Sequence, residues 1–322
     1  MTYLDILLIL DSTLRLATPL ILCAMAGLIS ERAGVIDIGL EGKLLAGAFA
    51  AAAAASLTGS AFVGLFAAIV VSMMMAALHG FATITHKGEQ IVSGVAINIL
   101  ASGATVVAGI ALFRQGGQSP PLTREERFGP IELPLAETLA EVPVIGPFYA
   151  ELLSGHTLPV YLALLSVPLV WWVLWRTRPG LRLRAVGEMP NAVDSAGLSV
   201  TAMRYRAVLV AGLLCGLAGV FLSTAHGAGF VREMSAGKGY IALAAMIMGR
   251  WRPWTVLLAC LVFGFLDAAA ARMQGTELPV VGEVPLELVL VLPYVATVIL
   301  LAGFFGRAIP PAALGTPYRK ER

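Results

Sequence analysis

The sequence predicts an all-α fold: a polytopic transmembrane helical bundle of about nine spans (8–10), with a short helix on one cytoplasmic connection. Three observations predict it. Hydrophobic residues make up 58% of the 322 residues and charged residues 13%, against about 45–50% and about 25% in soluble globular chains. Apolar runs of about 20 residues, long enough to cross a ~30 Å hydrocarbon core, recur along the chain. The 34 Gly, with abundant Ala, supply the small residues that let helices approach closely in lipid. Mean hydropathy is +0.85. Too little charge is present to cover soluble domains, and too much hydrophobicity for intrinsic disorder.

Spans are predicted near 13–30, 43–58, 61–85, 91–113, 158–176, 206–225, 239–250, 253–271 and 286–305. Residues 1–12 read as an interfacial helix leading into the first span. Asp5, Asp11 and Arg15 interrupt that apolar start, and no basic n-region precedes it, which argues against a cleavable signal peptide. The span at 239–250 is short and reads as broken or only partly crossing. Residues 1–322 form a single transmembrane domain.

Orientation follows from Lys and Arg in the connections. The 176–206 connection holds Arg176, Arg178, Arg182, Arg184, Arg204 and Arg206 against Glu188 and Asp194, which makes it cytoplasmic. His86/Lys87, Arg250/Arg252 and the 307–322 tail fall on the same side. The 114–157 connection then lies outside, with six Glu against three Arg. Its many Pro and Gly break it into short pieces, which suits a surface cap facing an extracytoplasmic partner. A net charge of +2 makes no case for nucleic acid. Cys23, Cys215 and Cys260 sit in apolar runs and suggest neither a disulfide framework nor a metal site. The four His show no metal-ligand spacing.

Within 185–206, Pro190 is placed to start a short helix and Gly197 to end it in a left-handed cap. Two readings stand at this point. One is a stiff cytoplasmic projection that transmits a push between a soluble motor and the membrane helices. The other is an interfacial loop whose arginines bind lipid phosphates.

Ionisable residues within spans cost about 2.5–3.5 kcal/mol near a helix centre, so each requires a reason. Asp37 and Glu41 lie four apart among Gly34, Gly39 and Gly42, which suggests a broken helix whose freed backbone faces protein or a cavity. They are candidates for a gate or path lining. The competing reading is an interfacial turn whose carboxylates are balanced by Arg32 or Lys43. Asn98 is mid-span, as helix glue or path lining. Asp267 is the most isolated membrane acid, with Arg272 near enough to balance it. His79 reads as a packing residue, Gln90 as a boundary residue, and Trp171, Trp172, Trp175, Trp251 and Trp254 as an aromatic belt. No P-loop, nucleophile elbow or zinc-protease motif occurs.

Gly187, Glu188, Pro190, Ala192, Ala196 and Gly197 resemble the coupling loop of bacterial ATP-binding-cassette (ABC) importer permeases. The segments 31–49, 208–223 and 237–253 are similar to further blocks of the same proteins. From about residue 12 to 306 the chain resembles the branched-chain amino acid and ribose-type permeases, most closely the simple-sugar and nucleoside branch. The extra first span common in ribose-type members is missing.

The resemblance implies a multi-pass protein of the bacterial plasma membrane, in contact with lipid and doing no covalent chemistry. It implies no cofactor in this chain, ATP being bound by a partner ATPase. A second, non-identical permease and an extracytoplasmic solute-binding protein would complete the assembly, with a nucleoside or simple sugar as cargo. Gly187, Glu188, Pro190, Asn191, Ala192, Ala196 and Gly197 would couple to the ATPase, and Asp37, Glu41, Asn98 and Asp267 would line the path or gate. The alternatives are an ion-coupled secondary transporter, with Asp267 as the ion-binding acid, and an integral membrane enzyme.

Overall fold

The computed structural model describes residues 3–134, 142, 145–273, 277–278, 282–283, 291, 295 and 309–320. Helices follow one another as α1 (Tyr3–Arg32), α2 (Leu40–Thr58), α3 (Ala61–Gly80), α4 (Gln90–Phe113), α5 (Leu158–Arg176), α6 (Arg178–Glu188), α7 (Pro190–Ser195), α8 (Val200–Val220), α9 (Lys238–Met248) and α10 (Pro253–Met273). Wider π-helical turns extend α3 over Phe81–Thr85 and α8 over Phe221–His226. Seven helices are long and apolar enough to cross a membrane, and α9 is a shorter apolar one. Of the span expected at 286–305, only residues 291 and 295 are among the described residues. A two-residue antiparallel pair, Glu277–Leu278 with Gly282–Glu283, is the one departure from helix and loop among the described elements.

Two expectations change. Residues 3–12 are not a separate interfacial helix but the first turns of a continuous 30-residue α1. Arg15 pairs with Asp11 one turn away, so these charges are satisfied along the helix and need not break it. Residues 178–188, read as loop, form α6. Thr177 accepts a hydrogen bond from the Gly180 amide (3.3 Å), and Pro179 occupies the first turn.

Buried helices α1, α2 and α8 form the centre. Helices α3 and α4 pack on α2, and α5, α9 and α10 pack on α1. The glycines of α8 make this possible. A Cβ at Gly219 would lie 2.4 Å from the Ala48 amide nitrogen, and one at Gly216 would lie 2.9 Å from the Ala68 carbonyl oxygen. Backbones therefore touch where side chains would separate them. Gly219→Val is expected to lose about 1–3 kcal/mol or more by overpacking, read as a fall in folded yield after detergent extraction. A Cβ at Gly103 would meet no atom within 4 Å, so Gly103→Val should leave that yield unchanged.

The 114–157 connection is a packed cap. Ser119, Leu122 and Phe128 donate backbone amides to the carbonyls of Phe230, Ala228 and Thr224 (2.8–3.0 Å). Ile131 and His156 pair across its far end (2.9 Å). Residues 135–141 and 143–144 lie outside the described residues.

Candidate functional site

The site begins where α1 stops. Gly34 adopts φ +86°, a conformation natural to glycine, and turns the chain away from the helix axis. Ser30 Oγ accepts nothing from this turn but donates to the Val35 carbonyl (2.9 Å). The backbone of 36–38 then has no helical partner, and inside an apolar bundle each orphaned group would be costly.

Helix α4 supplies those partners. Gln90 Oε1 accepts from the Ile36 amide (2.7 Å). Asn98 Nδ2 donates to the Ile38 carbonyl (3.1 Å), while its Oδ1 accepts from the Gly42 amide (2.7 Å). Gln90, Gly94 and Asn98 recur every four residues and so share one face. At Gly94 the break comes so close that a Cβ would lie 2.9 Å from the Gly39 nitrogen. From α3, His79 Nε2 meets the Ile36 carbonyl and its Nδ1 meets Ser93 Oγ, both at 3.0 Å. A carbonyl only accepts, so Nε2 carries the proton and Nδ1 accepts from the serine of α4. His79 is thus a fully bonded packing residue, as expected.

The two acids of the break differ in role. Asp37 is completely buried and ion-paired through its carboxylate to the equally buried Lys43. Lys43, rather than Arg32, is the balancing cation. Arg32 instead donates to the Trp251 carbonyl (2.9 Å) and lies over the Trp175 ring. Glu41 accepts from the amides of Gly237 (2.8 Å) and Gly239 (2.6 Å), which places a carboxylate on the N-terminus of α9. There it satisfies two amides that lack an intrahelical acceptor and complements the helix dipole. The approach leading to α9 is strained, with Glu233 and Ala236 at φ +55° and +48°. Asn98 Nδ2 also donates to the Tyr240 hydroxyl (2.8 Å), and Ser102 donates to Glu233. These four polar residues run along the α4–α9 seam at the exposed edge of the break.

Of the path candidates, the fold gathers Asp37, Glu41 and Asn98 into one network. Asp267 shares none of its contacts and sits half-buried on α10. Tyr240 and Glu233 belong to the network without having been singled out, and Gln90, read only as a boundary residue, joins them. The fourfold spacing of Gln90, Gly94 and Asn98 was the available signal. Trp251, placed in the aromatic belt from sequence, is buried, and its Nε1 donates to Glu31 (2.7 Å).

Helix α7 starts at Pro190 and is closed by Gly197 at φ +80°, as expected. Val193 packs with Val186, Val200 and Tyr318 beneath it. Asn191, Ala192, Ala196 and Gly197 are exposed, as are Glu188 and Met189. Gly187 faces inward instead. A Cβ there would lie 2.2 Å from the Arg32 carbonyl oxygen, so α6 rests directly on the end of α1.

The 309–320 tail ties this contact together. Ala313 donates to the Gly187 carbonyl (2.8 Å), Gly315 to the Gly34 carbonyl (3.2 Å), and Ala312 to the Glu188 carboxylate (3.1 Å). Arg204, almost fully buried, donates to the Thr316 carbonyl (3.0 Å), and Lys320 stands 3.8 Å from Asp194. An exposed helical projection is therefore joined through buried glycine contacts to a break whose far side holds the start of α9.

Residues 9–302 match the family described as the branched-chain amino acid transport system permease component. The chain belongs to this permease family. The permease is 37% identical over 321 residues to the guanosine ABC transporter permease protein NupQ of Bacillus subtilis, covering 98% of this chain and 97% of that one. It is 36% identical over 321 residues, with the same coverage, to the nucleoside ABC transporter permease protein NupC of Lactococcus lactis. A putative glucose ABC transporter permease protein of Haloferax volcanii is 36% identical over 279 residues, 86% of this permease and 81% of that chain. The two bacteria also hold more distant relatives, NupP and NupB, with those same transporter names, at 27% and 22% identity. The permease is a multi-pass membrane protein.

Proposed function

We propose that this permease forms half of the translocation path of an ABC importer whose cargo is a nucleoside, with simple sugars as the neighbouring class. The observation that carries the reading is the continuous contact from exposed α7, through Gly187 on Arg32, to the break and the Glu41-held N-terminus of α9. A displacement applied at α7 reaches the α4–α9 seam through touching backbone, which suits alternating access driven from outside the chain. Full-length likeness to guanosine and nucleoside permeases supports the cargo class.

In this reading a partner ATPase binds ATP, and this chain holds no cofactor and performs no covalent chemistry. A solute-binding protein delivers cargo at the extracytoplasmic cap. The second permease is non-identical, a reading supported by the second, more distantly related permease of the same transporter name in each of the two bacteria. An ion-coupled carrier would rest on Asp267 alone, half-buried on α10, because Asp37 and Glu41 are already engaged by Lys43 and by backbone amides. The exposed face of α7 is the docking surface for the ATPase. Ala192→Arg is expected to abolish co-purification with the ATPase and ATP-dependent nucleoside uptake while leaving the chain folded in the membrane. Uptake that survives this change and ATP depletion, yet stops when the proton gradient collapses, would reject the importer reading.

A further inference from the structure

A cleft of about 650 Å³ opens between α5, α6 and α8, beside the coupling element. Its floor includes Leu174 and Leu214, and its rim Leu169 and Val210, which are 54% and 43% exposed. The cleft runs from the α6 end of the bundle along α5 as far as Ser166 and along α8 as far as Leu214. Its serine hydroxyls are occupied: Ser166 donates to the Ala163 carbonyl (2.6 Å), and Ser199 caps the Ala202 amide (3.2 Å). The remaining side-chain polarity is Arg182 and Arg206. Both are exposed, and neither has a hydrogen bond or ion pair among the described residues.

Depth in the bilayer fits the same picture. Trp172, 54% exposed in the last turns of α5, and Arg176, 5.5 Å from the Trp171 ring centroid, mark the headgroup level at this end. Two unpaired guanidinium groups thus stand at headgroup depth over an apolar slot that opens sideways. Neither part is complete alone. A soluble phosphate would leave the slot unfilled, and a zwitterionic lipid would bring a cation of its own beside the two guanidinium groups. Basic pockets between membrane helices on the cytoplasmic side recruit anionic headgroups, and guanidinium groups suit phosphate oxygens.

We propose that this cleft binds one anionic phospholipid of the leaflet facing the 176–206 connection, with its phosphate on Arg182 and Arg206 and an acyl chain in the slot. The occupant touches α6 and the Gly197–Ser199 turn, so it adds a support for the coupling element besides the 309–320 tail. The lipid site does not depend on the importer reading.

Native mass spectrometry of the full chain in non-ionic detergent tests it, with phosphatidylglycerol and phosphatidylcholine titrated separately. Wild type should retain a single phosphatidylglycerol at least about tenfold more tightly than phosphatidylcholine. The Arg182→Gln/Arg206→Gln variant should lose roughly thirtyfold in phosphatidylglycerol affinity, the share expected from two surface arginines. Ala202→Trp, which narrows the slot, should weaken both lipids. Equal retention of the two lipids by wild type would overturn the proposal without recourse to any variant. So would displacement by millimolar inorganic phosphate, which would make this a soluble-anion site.

Discussion

Asp37→Asn is expected to cost the folded chain about 3–5 kcal/mol, because it leaves the Lys43 ammonium buried without its counter-charge. Both side chains are wholly inaccessible, so neither can turn to water for compensation. Lys43→Met should cost a similar amount for the mirror reason, stranding the carboxylate. The combined Asp37→Leu/Lys43→Met change removes both charges, and a buried pair replaced by apolar residues is often neutral or stabilising. Thermal unfolding of the purified chain in detergent should therefore show two large losses and substantial recovery in the double variant. If Asp37→Asn melts with wild type, the pair does not hold the break together. If the double variant is as unstable as either single one, the carboxylate has a further partner that the ion pair does not explain.

Gly187→Val should separate uptake from ATPase binding. Its Cβ has no room against the Arg32 carbonyl, so α6 must lift from the end of α1. Overpacking of this kind costs about 1–3 kcal/mol, which is roughly fivefold to 150-fold in any equilibrium that requires the contact. The exposed face of α7 is untouched, so the ATPase should still co-purify and hydrolyse ATP while nucleoside uptake falls at least about fivefold. Gly187→Ala should lie between, because a single methyl meets the same oxygen with less bulk behind it. This pattern is the reverse of Ala192→Arg, where binding itself is lost. Normal uptake by Gly187→Val would show that motion reaches the break by another route. Loss of ATPase binding would show that the glycine shapes the docking face.

How far the sequence could be read depended on where each residue finds its partner. Pro190 and Gly197 announce a short helix because proline and glycine act on their own backbone, and the structure places both ends as their chemistry requires. Asp37, Glu41 and Asn98 stand out because charge and amide are rare in apolar runs, and all three entered one network. Gln90 was passed over because its partner is the amide of Ile36, 54 positions away, and nothing local marks that amide as orphaned. Helix α6 was hidden by its arginines, although Thr177 and Pro179 carried a helix-start signal. Two of the tail contacts, from Ala313 and Gly315, run from backbone amides to distant backbone carbonyls, and composition says nothing of those. Asp267 was singled out for its isolation and remains outside the network, since rarity in a span identifies a residue without assigning it a partner.

The backbone bonds of Ala313 and Gly315 to Gly187 and Gly34 also bear on how the protein is made. Residues 309–320 leave the ribosome only after the helices they lock have entered the bilayer. Until then α6 and the end of α1 are neighbours without a clasp. The contact between α6 and the end of α1 therefore gains this support only after about 120 further residues beyond α7 have been made.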